Sequence, residues 1–143
     1  MDDAQIKHLE MIQAVIARMA QNSFAFKGWT AALVTGIFVI AAANGVNPRL
    51  LLVALLPTLA FWGLDGYYLW QERLFRKLYD AVRLAPPVDW QPEAFKMDAA
   101  PYSIEVDSWH SVCLSRTVAG FYAPIIVVVL GAAALTLAFG GYP

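Results

Sequence analysis

Asp65 is the residue most in need of a chemical account. It sits inside Leu50 to Trp70, a run that is otherwise uncharged. An ionisable group within a membrane span costs about 2.5–3.5 kcal/mol at mid-bilayer, and less near the interface, so it demands a partner or water. Ser23 to Ala43 is a second apolar run and carries Lys27 as its sole charge. The two runs flank Asn44-Gly45-Val46-Asn47-Pro48-Arg49, a cluster of turn residues that reads as a hairpin loop. Lys27 lies 17 positions before Asn44 and Asp65 lies 16 positions after Arg49, so antiparallel helices put the two at equal depth. The spacing predicts that they approach each other, and the same register brings Glu10 beside Arg83. Two chemistries fit such a pair. It either fixes helix register while Lys27 snorkels to the interface, or it serves as a gate on an ion pathway.

Further along, Gln71-Glu72-Arg73-Leu74-Phe75-Arg76-Lys77-Leu78-Tyr79-Asp80 places three cations within two turns of a helix. Arg73, Arg76 and Lys77 suit anionic lipid headgroups or a phosphate-bearing ligand. Trp109, His110 and Arg116 could extend that site by stacking and hydrogen bonding, or could be ordinary surface residues. Asp107, Ser108, His110 and Ser111 include the residue types of a hydrolase triad, but they share one short segment, whereas an acid, base and nucleophile converge from separate elements. Phosphate-cradling GxxxxGK[ST], GxGxxG and metal-spaced His or Cys clusters do not occur in the sequence. With a single cysteine, Cys113, the chain has neither an internal disulfide nor CxxC chemistry. Catalytic residues, a metal and a cofactor are therefore not expected. A membrane-embedded enzyme would require Asp65, His110 and Tyr79 to converge on one cavity.

The elements that position these residues follow from hydropathy. Of 143 residues 59% are hydrophobic, and the mean hydropathy is +0.54, more apolar surface than one soluble core of this size uses. Residues 4–22 place Ile6, Leu9, Ile12, Ile16 and Met19 at helical spacing, which predicts an amphipathic helix. Residues 23–43 and 50–70 are each about 20 residues, enough at about 1.5 Å per residue to cross a hydrocarbon core of about 30 Å. Residues 71–84 continue the second span as an amphipathic stalk, with Leu74, Phe75, Leu78, Tyr79 and Val82 on one face. Pro86, Pro87, Pro92 and Pro101 make much of 85–117 an irregular linker. Within it, 103–117 is predicted to form a short helix. Residues 118–139 are uncharged and form the third span despite Pro124. The expected fold is an all-α membrane protein: three transmembrane helices, amphipathic cytoplasmic extensions of the first two, and a Pro-rich cytoplasmic segment before the third.

Lys7, Arg18, Lys27, Arg73, Arg76, Lys77, Arg83, Lys96 and Arg116 fall on one side of this arrangement and only Arg49 on the other. That bias places the N-terminus and the middle segment in the cytoplasm, and the hairpin and C-terminus outside. Trp29, Tyr67, Tyr68 and Trp70 lie where an interfacial aromatic belt is expected. The acidic N-terminus lacks the basic region of a cleaved signal peptide. Near-balanced charge, ten Lys plus Arg against eleven Asp plus Glu, gives no general attraction to nucleic acid. Three spans enclose no aqueous path, so conduction would require a homo-oligomer; Gly120, Gly131 and Ala132 to Ala134 offer small surfaces for helix approach.

Three stretches are more specific than composition: Arg18-Met19-Ala20-Gln21-Asn22-Ser23-Phe24-Ala25-Phe26-Lys27-Gly28-Trp29, then Phe61-Trp62-Gly63-Leu64-Asp65-Gly66-Tyr67-Tyr68-Leu69-Trp70 continuing to Asp80, and Ser115-Arg116-Thr117 ahead of Phe121-Tyr122. Together they resemble small membrane proteins of bacterial antiphage defence islands, encoded beside TIR-like partners of the Thoeris type. The resemblance covers most of the chain to about residue 84 and the third span more loosely. It implies an inner-membrane effector that responds to a nucleotide-derived signal or a TIR-like protein by permeabilising or depolarising the bilayer. It transfers no catalytic motif. The alternative is a passive membrane anchor or assembly subunit whose cytoplasmic helices dock another protein.

Overall fold

The computed structural model describes residues 3–43, 45–86 and 94–139, and these are helical over most of their length. Helix α1 spans Asp3–Ala43 without interruption. The predicted amphipathic segment and first span are thus one rod of about 60 Å at 1.5 Å per residue, because no proline interrupts the junction at Asn22-Ser23. Gly45 ends it at φ 77°, and Val46 follows at φ 53°. The Val46 N–H reaches back to the Ala41 carbonyl at 2.8 Å, closing the turn around the left-handed glycine. Asn47 then caps helix α2, Pro48–Val53, by accepting from the Arg49 N–H, with Pro48 in the first turn.

Helix α3, Leu55–Leu84, returns antiparallel to α1. The expected continuous second span is instead divided at Ala54, which separates α2 from α3. Pro57 explains the division. It has no N–H for the Val53 carbonyl four residues back, and its ring crowds that carbonyl. Ala54 N–H turns to Leu51 and Leu52 carbonyls. Thr58 Oγ1 donates to the Ala54 carbonyl at 2.7 Å, steadying the break with a buried hydroxyl.

The predicted helix over 103–117 does not form as one piece. A 3-10 turn covers Ala100–Ile104, residues 105–108 run as a non-helical strap, and helix α4 is limited to Trp109–Cys113. Pro101 favours the tight turn at its start, and Ser108, in an extended conformation, begins a new helix by accepting from the Ser111 N–H at 3.4 Å. Helix α5, Arg116–Phe139, contains Pro124 and starts two residues earlier than the expected third span. Pro87 and Pro92 of the linker, and the glycine-rich tail after residue 139, lie outside the described residues.

Three stretches of helix are long and apolar enough to cross a membrane: α1, α2 with α3 taken across the break, and α5. Two cores hold them together. Towards the hairpin, Ala41, Leu51 and Ala133 pack with Phe38 and Leu50. At the opposite, polar end, Leu9 and Ile12 of α1 meet Leu74, Leu78 and Val82 of α3, with Ala99 closing the side. Gln5 Nε2 donates to the Val82 and Ala85 carbonyls at 2.8 and 3.2 Å, so α1 caps carbonyls at the C-terminus of α3. Glu10 and Arg83 do not pair as the extended register predicted. Glu10 binds Lys7 at 3.0 Å and Arg83 binds Asp80 at 3.3 Å, each within its own helix. Exposed Leu33, Val39, Leu56, Val127 and Leu137 cover the outside of the apolar half, as a lipid-facing surface requires.

Candidate functional site

Asp65 is fully buried, and Lys27 Nζ reaches its carboxylate from the facing helix. The antiparallel register therefore forms the pair that the sequence spacing predicts. Lys27 keeps 24% of its side chain exposed, so the ammonium remains at the edge of the packed interior while the carboxylate lies inside it. Ser23, one helical turn before Lys27 and on the same face of α1, donates to the other carboxylate oxygen. Lys27 Nζ also contacts Ser23 Oγ at 3.2 Å, closing a three-membered network. Both carboxylate oxygens are thus engaged by charge-assisted or hydroxyl donors, the condition under which a buried acid is tolerated.

The third span meets this network through α4 and α5. Gly66, adjacent to Asp65, is buried against Cys113: a Cβ there would collide with the Cys113 sulfur and crowd its backbone. Glycine at this position lets α4 touch α3. Trp62 Nε1 donates to the Cys113 carbonyl at 2.8 Å, and Trp109 Nε1 donates to the Gly63 carbonyl at 3.2 Å, so α4 is pinned at both its ends to the turn of α3 just before Asp65. Burial first, and the Asp65 carboxylate second, push the Cys113 thiol above its ordinary value. From α5, Tyr122 stacks on Trp62 with ring centroids 6.0 Å apart. Its hydroxyl is buried beside Thr30 and Asp65 without completing a hydrogen bond. Thr30 is itself fully buried, with Oγ1 donating to the Phe26 carbonyl. Polar side chains from all three spans thereby converge at the level of Asp65.

Aromatic rings surround that level. Phe26 packs with Trp29, Phe61 and Tyr68 at centroid distances of 5.4–6.0 Å, and Tyr67 meets Trp70 at 6.1 Å. Trp29 and Tyr67 are exposed, which suits rings at a membrane boundary.

The cationic candidates separate into two places. Arg73, Arg76 and Lys77 line one open cavity of about 300 Å³ with Asp80, Glu105, Val106 and Asp107. Arg76 is held by Glu72 of its own helix, with Nε and Nη2 at 2.9 and 2.6 Å from one oxygen. Arg73 pairs with Asp107 at 3.1 Å and Lys77 with Glu105 at 3.6 Å, both acids coming from the strap. Trp109, His110 and Arg116 do not line this cavity. The Trp109 and His110 rings meet at 4.7 Å, tilted by 55°, with Trp109 bonded to Gly63, and Arg116 is exposed at the start of α5. The triad-type residues are likewise committed elsewhere, with Asp107 on Arg73 and Ser108 on the Ser111 N–H. Tyr79 lies 14 residues beyond Asp65 on α3, about 21 Å along the axis. It lines another cavity with Gln13, Ile16, Arg76 and Asp80, far from the buried carboxylate. Convergence of Asp65, His110 and Tyr79 is therefore absent.

Ser23 was within reach of sequence reasoning, since it shares a helix face with Lys27. Tyr122 and Cys113 were not, because a long irregular connection leaves the depth of the third span unspecified. Among the described residues there is no cluster of three His, Cys, Asp or Glu side chains arranged to hold a metal ion. No protein-family model, curated protein or solved structure matches the chain.

Proposed function

We propose that the protein is a homo-oligomeric inner-membrane effector of antiphage defence. Its cytoplasmic end receives a nucleotide-derived signal or a TIR-like partner, and its spans then permeabilise or depolarise the membrane. The observation that carries this reading is the buried Ser23–Lys27–Asp65 network, set where side chains of all three membrane-crossing stretches converge. A charge pair in that position couples the helices mechanically, because separating them strands a carboxylate in a low-dielectric setting. The polar end supplies the receiving half: a helical stalk with three cations, braced by a strap that continues directly into α4. The resemblance to defence-island membrane proteins supplies the biological setting, and the positive-inside bias supplies the orientation.

A membrane-potential dye tests the reading in cells expressing the protein with and without its neighbouring gene product. Depolarisation is expected only when the partner is triggered, and Asp65→Asn is expected to change its threshold or abolish it. A steady potential in every condition leaves the second reading, a passive anchor in which the network is architectural. The well-packed core of the polar end, which would serve as a rigid docking post, favours that alternative.

A further inference from the structure

We propose that the open cavity on α3 is a binding site for a phosphate-bearing anion, and that the acids of the strap, residues 105–108, hold two of its cations in the ligand's place. This deepens the sensing half of the proposed function and rests on it only for the statement that the bound anion is a signal.

The cations and the acids of the cavity belong to elements of different rigidity. Arg73, Arg76 and Lys77 project from the middle of a 30-residue helix whose other face is core. Glu105 and Asp107 sit on backbone with no helical hydrogen-bond ladder, between a five-residue 3-10 turn and a five-residue helix. When the two separate, the strap moves and the cations stay. Arg76 keeps Glu72 as a partner, whereas Arg73 and Lys77 lose theirs. One helical turn apart on α3, those two then present a guanidinium and an ammonium to a cavity that already measures about 300 Å³ with the strap in place, a size and charge suited to a diphosphate-like group.

The strap is held weakly. The paired side chains are 34–66% exposed, and exposed ion pairs are individually weak and screened by salt. A doubly charged phosphate group competes well with two separate carboxylates for such cations. The consequence of displacement is written in the chain order. Asp107 is followed by Ser108, the cap of α4, and α4 carries Trp109 and Cys113, which seat against Gly63 and Gly66 on either side of Asp65. Pulling the strap out of the groove strains the cap and loosens α4 from the buried network. Phosphate could come from a soluble anion or from a lipid headgroup, since Arg73 lies eight residues past Asp65, about 12 Å along α3 and within headgroup reach.

Inorganic pyrophosphate and anionic lipid discriminate the sources. The full chain is placed in phosphatidylcholine nanodiscs and titrated with pyrophosphate, and separately placed in discs containing phosphatidylglycerol with no soluble anion. Amide hydrogen exchange over 100–113 reports strap release in both. Faster exchange on adding pyrophosphate identifies a soluble ligand; faster exchange in phosphatidylglycerol without pyrophosphate binding identifies a headgroup. The double variant Glu105→Gln with Asp107→Asn is expected to bind the effective anion roughly two- to thirtyfold more tightly, the range set by two exposed pairs. Arg73→Gln with Lys77→Gln is expected to lose the response. Unchanged affinity in the acid-neutralised variant, or unchanged exchange in both membranes, overturns the site. Dye release from liposomes is scored in parallel: strap release without leakage sinks the effector reading and leaves the site, while leakage without strap release does the reverse.

Discussion

Lys27 and Asp65 are unequal partners, and the inequality is measurable. Lys27 has an exposed flank and a flexible stem, so an ammonium deprived of its carboxylate can swing to the interface. Asp65 is fully enclosed, and without Lys27 it keeps neutral donors alone, the Ser23 hydroxyl and the neighbouring Tyr122 hydroxyl. Breaking a buried pair from one side generally costs about 3–5 kcal/mol because the survivor is left uncompensated. Lys27→Met is expected to approach that range. Asp65→Asn keeps a group able to accept from Ser23 and frees a lysine that can escape, so about 1 kcal/mol is expected. The double variant Lys27→Met with Asp65→Leu is expected to recover most of the loss, since two apolar side chains leave no stranded charge. Denaturation midpoints in detergent micelles check the order. A Lys27→Met protein as stable as the parent would show that the pair carries little energy.

At the scale of elements, α4 is the joint of the molecule. Five residues long, it is too short to be stable alone, and it is held by two indole N–H bonds and by the glycine-to-cysteine contact at Gly66. Seating α4 is what places Cys113 near the Asp65 carboxylate, and burial together with that charge raises the thiol pKa. A raised thiol pKa means less thiolate at neutral pH, so maleimide or iodoacetamide should modify Cys113 more slowly than a free cysteine, and the rate should keep rising to higher pH. Asp65→Asn removes the charge and should bring the pH profile part of the way back. Release of the strap should restore it further by unseating α4. Alkylation rates followed by intact-protein mass check the three cases, and a Cys113 that reacts as fast as a free thiol at neutral pH contradicts the docked position of α4.

The same elements show which parts of the structure were readable in advance. The long helices were legible because hydrophobic periodicity and length are local, and the Lys27–Asp65 pairing was legible because a hairpin of six turn residues leaves little freedom of register. Glu10 and Arg83 were misread because that register argument ignores nearer partners on each helix, Lys7 and Asp80, which reach their targets without bridging the groove. The break at Ala54 departs from the continuous span expected over 50–70, although its cause, Pro57, is visible in the sequence. Residues 103–117 looked continuous because the charges at either end suit a helix dipole, yet Glu105 and Asp107 are spent on α3 instead. That competition is tertiary, and periodicity carries no trace of it. For the same reason the placement of Tyr122 beside Asp65 followed only from the packed bundle.

Over the whole molecule, polarity runs along a single axis. The hairpin end carries Arg49 and little other charge, whereas the opposite end carries the stalk, the strap and most of the cations. Translocating that end would move the ion-paired groups of α3 and the strap across hydrocarbon, while translocating the hairpin moves one arginine; the lower barrier predicts a hairpin outside and the polar end inside. In a Cys113→Ser background, Asn47→Cys should therefore be labelled in intact cells by a membrane-impermeant maleimide, and Glu105→Cys only after permeabilisation. The labelling pattern has a consequence beyond topology. A phosphate-bearing signal made in the cytoplasm reaches the groove of Arg73 and Lys77 only if the strap lies on that side. Labelling of residue 105 in intact cells would separate the groove from any cytoplasmic ligand, and the proposed sensing function would fall even if the anion bound to the purified protein.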